Sequence, residues 1–540
     1  MRKFSFLIVF LFGFLSIVAQ KTEKPTLVVG IVIDQMRYDI LARYWDKFGD
    51  NGFKKIVDGG TFCKNAHYEY LNVNSASGYA TIACGSYPSQ HGIINMKWYD
   101  RLLRTEVYCV DDNSVNSVGS VFGEGRSPKN LSSTSWTDEL RVSTYKMSKV
   151  YSVGMNDYAS VISGGKLANT AFWFDENTGK WVTSSYYIDS LKEWTNDFNE
   201  KMFADIYLQR SWTTTFPILK YTESLSDATA YEIGIAGQRT FPYDLAVLKN
   251  KYNNYDILNY TPFANTFTKD FAINLMMNEY LGKDPYTDVL LINFAATGYI
   301  GDLFGIQSVE FEDAFIKLDK DIAHLISSIE DYVGMENVVI YLTSDRGACE
   351  NTQWLTDINI ETGEFNYKRT SVVLNSYLRA IYGMGNWIDG FYNDEIYLSH
   401  FDIDKASLTV VEMQERSAQM FVNFKGTATA IPTLSLLRGT YSSGIMKQAQ
   451  NSYFQARSGD VFLVLDYGWR FQDDGTSLCD CNSGYNENTH VPLIFYGGNV
   501  PKKDIYRKVS MDDLAVTLSF LLDISLPNKS TGNPVVEVLE

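Results

Sequence analysis

Six runs of apolar residues carry almost no polar alternation, and they constrain the fold more than any other feature of the chain. They are "TLVVGIVID" (26–34), "VYSVGM" (150–155), "DVLLINFAATG" (288–298), "VVIYLTSDRG" (338–347), "VFLVLDYGW" (461–469) and "VPLIFYGG" (491–498). A strand with one wet face alternates apolar and polar residues, so unbroken Val/Ile/Leu runs predict strands covered on both faces of a mostly parallel sheet. Helical patterns lie between them. The clearest runs through Phe311, Phe315, Leu318, Ile322, Leu325 and Ile329, one apolar face with Glu, Asp and Lys opposite. His324 on this helix reads as an ordinary helix residue. Alternating strands and helices predict an α/β fold: a doubly wound, mostly parallel sheet flanked by helices. Such sheets bind ligands beyond the carboxyl ends of their strands. Asp34, Gly298 and Asp345 all fall there and are expected to converge on one crevice.

Two stretches break the rhythm. Residues 176–285 begin with a hairpin around Asn177-Thr178-Gly179 and continue as Trp- and Tyr-rich polar sequence, which predicts a cap inserted over the crevice. Residues 350–455 read as an irregular insertion between two core strands. The rest of 21–540 reads as one large α/β domain. Hydrophobic residues are 45% and charged residues 21% of the chain, the balance of a folded globular protein. The formal net charge is -17 with no basic run, which excludes nucleic acid or an anionic membrane as the main partner.

The start, "MRKFSFLIVFLFGFLSIVAQ", has a basic opening, an apolar run and a small residue at Ala19. This is the layout of a secretory signal peptide over residues 1–20, and it predicts a periplasmic or secreted protein with no membrane span after cleavage. The alternative, an uncleaved anchor, requires a longer apolar run. The six cysteines are too sparse for a disulfide framework, although some are expected to pair in an oxidising compartment.

Four segments taken together resemble the alkaline phosphatase superfamily. The likeness is to the phosphate-irrepressible alkaline phosphatases with a Thr nucleophile and their nucleotide pyrophosphatase/phosphodiesterase relatives. The segments are "GIVIDQMRYD" with Asp34, "NVNSASGYATIACGSYPSQHGIINMKWYD" (72–100), the pair "FAATGYIGDLFG" and "LTSDRG", and "NTHVPLIFYGG" with His490. They run in the family's order from about residue 25 to the C-terminus. The resemblance implies two zinc ions about 4 Å apart that clamp a phosphoryl group. One is held by the first Asp, the nucleophile and an Asp-His pair; the other by an Asp, a His four residues later and a distant His. Carried onto this chain, Asp34 is the first Asp, Ser75 stands at the nucleophile position, and Asp345 keeps the Asp of the Asp-His pair. Its His is Arg346, the other Asp is Gly298, and the His four later is Asp302. The distant His maps to His490.

The substrate side departs as well. Met96 stands where the family places an Asn, and Asn156 and Tyr158 replace a Lys and an Arg that grip phosphate oxygens. Sulfatase chemistry is disfavoured because Ser75 is followed by Ser77 and Tyr79 rather than the required Pro and Arg. Three carboxylates and one imidazole form a weak zinc site, since zinc favours nitrogen and sulfur donors. The expectation is therefore no metal, or one hard divalent ion (Mg²⁺ or Ca²⁺ rather than Zn²⁺) on the remnant ligands Asp34, Asp302, Asp345 and His490, and no complete two-zinc site.

Arg346 is expected either to sit exposed on a turn or to fill the vacated metal position and pair with Asp34, Asp345 or Asp302. Ser75 is expected to act as a helix N-cap rather than a nucleophile, having no base beside it. Cys479-Asp480-Cys481 offers a weaker zinc alternative with His490, or a disulfide to Cys349 or another cysteine. These readings converge on an exported phosphatase-like pseudoenzyme that binds an unidentified ligand or envelope partner. The alternative is a residual phosphomonoesterase or phosphodiesterase using Ser75 and a single divalent metal. A scaffold role in an envelope complex has no specific support, and oligomeric state is not readable.

Overall fold

The computed structural model describes residues 24–252, 254–471, 478 and 483–540. Its centre is an eleven-stranded sheet. In chain order the strands used below are β1 (Leu27–Ile33), β2 (Thr61–His67), β3 (Val150–Gly154), β4 (Thr170–Asp175), β5 (Lys180–Ser184), β6 (Asp288–Phe294) and β7 (Val338–Thr343). Four strands of a separate lobe follow: β8 (Ile388–Tyr392), β9 (Glu395–Leu398), β10 (Thr427–Pro432) and β11 (Val461–Leu465). Then β12 (His490–Tyr496) and β13 (Lys503–Ile505) return to the centre. Spatially these run β13-β2-β12-β7-β1-β6-β3-β4-β5 in the main sheet, with the two-residue strands Ser117–Val118 outside β5 and Val509–Ser510 against β2 making up the eleven. The pairs of β1 with β6 and β7, β6 with β3, and β3 with β4 are parallel, whereas β12 is antiparallel to both neighbours.

Every residue of β1, β6 and β7 is buried, which accounts for their unbroken apolar runs. Alternate residues feed two cores: Val29, Ile31 and Ile33 enter one face, Val28 and Val32 the other. The helices named here are α1 (Ser75–Cys84), α2 (Asp157–Gly164), α3 (Phe263–Asn278), α4 (Ala296–Phe304), α5 (Val309–Tyr332), α6 (Tyr367–Tyr382) and α7 (Val410–Phe421). All six apolar positions read from the α5 pattern are fully buried. Among the described residues no helix is long and apolar enough to cross a membrane.

Three expectations need correction. The hairpin at 177–179 forms, but β4 and β5 belong to the main sheet, and α3 packs into the same core as β6 and α5. Residues 176–285 are thus partly core rather than wholly cap. The run at 461–469 supplies β11, which pairs antiparallel with β9 and β10 in a separate four-stranded sheet. That sheet, with α6 and α7, has its own core around Leu374, Leu378, Met413, Phe421 and Leu463. The stretch read as an irregular insertion is therefore a folded α/β lobe whose last strand lies beyond residue 455.

Candidate active site

The tips of β1 and β7 are stapled by one hydroxyl. Ser344 Oγ donates to Ile33 O at 2.6 Å and accepts from Met36 N at 2.9 Å. This brings Asp34 and Asp345 together, both buried, at 4% and 0% exposure. Gln35 turns through the left-handed region (φ 58°), which aims its N–H at Asp345 Oδ1, 3.0 Å away. Arg346 N donates to the same oxygen at 2.8 Å. Gln35 also donates its side-chain Nε2 to Asp302 Oδ1 at 3.1 Å, tying α4 to the β1 tip. Gly298, in the first turn of α4, lies against Asp34: a Cβ there would stand 3.1 Å from the Asp34 Cβ.

Helix α1 delivers Ser75. Its N-cap is Asn74, whose side chain accepts from Ser77 N, while Ser77 Oγ accepts from Asn74 N in a reciprocal box. Ser75 is therefore the first helical residue rather than the cap, which corrects the expectation for it. Three residues on, a Cβ at Gly78 would fall 1.9 Å from the Asp345 carbonyl oxygen. Only glycine lets α1 lie directly on the β7 tip. One turn after Ser75, Tyr79 donates its hydroxyl to Asp34 Oδ1 at 2.5 Å.

Arg346 is 5% exposed and its Nε donates to Ser75 Oγ at 3.3 Å, so the exposed-turn alternative is excluded. Its charge acts on both aspartates. Burial and the neighbouring Asp345 carboxylate push Asp34 well above the usual carboxylate range, against the opposing effects of the Tyr79 hydrogen bond and Arg346. Burial raises Asp345 too, offset by Arg346, the Ser75 hydroxyl and the N–H groups of Gln35 and Arg346. The guanidinium is the resident cation of a site with two adjacent carboxylates.

The cleft above these groups has a volume of about 480 Å³ and is lined by Asp34, Ser75, Met96, Asn156, Tyr158, Gly298, Asp302 and Arg346, among others. Eight of the ten sequence-derived site positions thus line it, and Asp345 lies next to them, accepting from Gln35 N and Arg346 N. His490 does not. Its ring stacks on His67 and Tyr38 at centroid distances of 4.3 and 4.2 Å, and its Nε2 lies 3.1 Å from Lys64 O. It opens β12 opposite His67 of β2, and the register directs it into that stack. Asn156 and Tyr158 form a polar wall: Tyr299 Oη donates to Asn156 Oδ1 at 2.5 Å and Asn156 Nδ2 donates to Tyr158 Oη at 3.1 Å.

Four contributors were not foreseen from sequence. Tyr79 follows Ser75 by one helical turn, a spacing that puts both on one face. Gln35 adjoins Asp34. Asn95, next to Met96, lines the cleft at 7% exposure, and its buried Nδ2 has no hydrogen-bond partner within the protein. Lys97 adds a second cation to the lining.

The donor set does not fit a two-zinc centre. No imidazole faces the cleft, and the described residues contain no grouping of three or more His, Cys, Asp or Glu side chains suited to a metal. Of the remnant set, Asp34, Asp302 and Asp345 gather around Gln35 at the β1 and β7 tips, while His490 stands apart from them in its aromatic stack. Cys349 is disulfide-bonded, and Cys63, Cys84 and Cys109 are free and buried. Cys479 and Cys481, with the alternative zinc reading that uses them, lie outside the described residues.

A strand-tip aspartate pair, a helix-borne hydroxyl beside it and a polar cleft above define an alkaline-phosphatase-like hydrolase scaffold. The chain belongs to the type I phosphodiesterase / nucleotide pyrophosphatase family, which it matches over residues 28–490. It is 35% identical over 535 residues to alkaline phosphatase PafA of Elizabethkingia meningoseptica, covering 96% of each chain. To alkaline phosphatase PhoV of Synechococcus elongatus it is 34% identical over 534 residues, covering 97% of this chain and 95% of the relative. The crystal structure of wild-type PafA superposes with a TM-score of 0.91, at 33% identity, over 96% of this chain and 99% of that one.

Proposed function

We propose that this protein is an exported pseudoenzyme of the alkaline phosphatase family, which uses the cleft to hold an anionic ligand without hydrolysing it. The observation that carries the reading is the contact of Arg346 Nε with Ser75 Oγ. A serine becomes a nucleophile when a base, a lowered pKa or a metal activates it. Here no imidazole stands within the cleft lining to take its proton, and the guanidinium donates to the oxygen whose lone pair would have to attack. The same arrangement supports anion binding. Arg346, Lys97 and the unpartnered amide of Asn95 present donors, while Asn156 and Tyr158 replace the paired cations that the resemblance associates with a transferring phosphoryl group. Export rests on the signal-like N-terminus.

The test is metal content and turnover of the purified protein. Elemental analysis is expected to give substoichiometric zinc, and aryl phosphate monoester and diester turnover with added Zn²⁺, Mg²⁺ or Ca²⁺ is expected to match that of Ser75→Ala. Stoichiometric metal together with a rate abolished by Ser75→Ala would overturn the proposal in favour of a single-metal phosphomonoesterase or phosphodiesterase.

A further inference from the structure

The charges around the cleft set which anions it can hold. Its lining includes two cations, Lys97 and Arg346, and two carboxylates, Asp34 and Asp302. A third carboxylate, Asp345, lies next to them, its Oδ1 accepting from Gln35 N at 3.0 Å and from Arg346 N at 2.8 Å. The lining phenols Tyr108, Tyr158 and Tyr299 are neutral, since burial raises all three. Arg126, which lies over the Tyr108 ring, is already engaged: its Nε donates to Asp157 at 2.5 Å, and its other nitrogens pair with Asp111 and Glu124.

Three carboxylates thus answer two cations, and with a proton on Asp34 the count is two against two. Neither state leaves positive charge to offset a second charge on a ligand. The resemblance assigns a phosphate-gripping Lys and Arg to positions 156 and 158. Here Asn156 and Tyr158 make a neutral wall instead, Asn156 Nδ2 donating to Tyr158 Oη at 3.1 Å. The remaining donors are neutral as well: the buried Asn95 Nδ2, which has no partner within the protein, and the hydroxyls of Ser75 and Tyr158. Such donors satisfy an oxyanion of single charge, whereas carboxylates at the same cleft repel a dianion.

We propose that the cleft, through its carboxylates, selects singly charged oxyanion esters, a sulfate ester or a phosphodiester, over the dianion of a phosphate monoester. The inference rests on the reading of the cleft as an anion site and adds the charge class of the ligand. A phosphate monoester is then held as its monoanion, whose remaining P–OH can donate to a lining carboxylate.

Titration calorimetry of the full chain with phenyl sulfate, methyl phenyl phosphate and phenyl phosphate, at pH 6, 7 and 8, tests this. The first two keep one charge throughout, whereas phenyl phosphate loses its second proton near about pH 6. Changes in the protein's own charge act alike on the singly charged forms. The affinity for phenyl phosphate relative to the singly charged esters is therefore expected to fall about tenfold from pH 7 to pH 8. Asp302→Asn removes a lining carboxylate and is expected to raise that ratio at pH 8, with a thermal melt confirming its fold. A ratio that is flat or rises with pH would overturn the proposal, as would an unchanged ratio in Asp302→Asn. Binding of the sulfate alone or of the diester alone would identify the ester class, and either supports the proposal. Binding of none of the three would overturn the anion-site reading itself, and the inference with it.

Discussion

Tyr79 holds Asp34 by a 2.5 Å hydrogen bond from within the helix that carries Ser75. The helix that carries Ser75 and the strand that ends at Asp34 are thus joined by a phenol. Both partners are almost wholly buried. Tyr79→Phe leaves the Asp34 oxygen without its donor, and a loss of about 1–3 kcal/mol in denaturant unfolding is expected. Asp34→Asn together with Tyr79→Phe should recover part of that loss, because no buried charge then lacks a partner.

Arg346→Ala removes a guanidinium that lowers both Asp34 and Asp345. Stripping a buried cation from carboxylates is expected to cost about 3–5 kcal/mol. The loss should be largest at neutral pH and shrink in acid, where the carboxyls take up protons. Thermal melts at pH 5 and pH 8 check this.

Ser75→Ala is expected to leave stability nearly unchanged, whereas Asn74→Ala should cost about 1–2 kcal/mol. Asn74 caps α1 and also donates to Asn72 O and Ile94 O, at 2.8 and 3.0 Å. Parallel denaturant melts of the two variants separate a capping residue from its neighbour.

Asp34 sits well above the usual carboxylate range because of burial and Asp345. A carboxyl raised in the folded state stabilises fully below its unfolded value, and that contribution is lost as pH climbs through its folded value. Asp34→Asn is therefore expected to be more stable than the parent at pH 8, with the advantage disappearing towards pH 4. An advantage of equal size at both pH values would show that Asp34 does not titrate as described.

The meeting of Asp34, Gly298 and Asp345 was legible because fully covered strands write themselves as unbroken apolar runs, and their tips follow. The run at 461–465 obeys the same rule but belongs to the lobe, since an apolar run records that a strand is covered and not which sheet covers it. His490 escaped for a different reason. It begins a strand, and the face its ring takes is set by pairing with His67, which no local pattern encodes. The Asn74 cap is legible in Asn74 followed three residues on by Ser77, whereas Ser75 is followed three on by Gly78, which has no side chain to complete a box. Arg346 was foreseen as a cation filling a lost ligand's place, but its hydrogen bond to Ser75 depends on α1 lying on the β7 tip. That contact arises only in the folded chain.

The absence of a side chain at Gly78 keeps α1 pressed onto the Asp345 carbonyl even though the chemistry around it has changed. The backbone frame is thus in place while, on the proposed reading, the side chains the resemblance implies for catalysis are replaced. Restoring the implied ligands would still ask Asp34 to give way, since a Cβ at 298 stands 3.1 Å from its own. An aspartate at 298 and imidazoles at 302 and 346 would enter a frame that still holds the serine hydroxyl and both strand-tip carboxylates in one place. The position that decides whether such a revertant can be made is the glycine that touches no ligand at all.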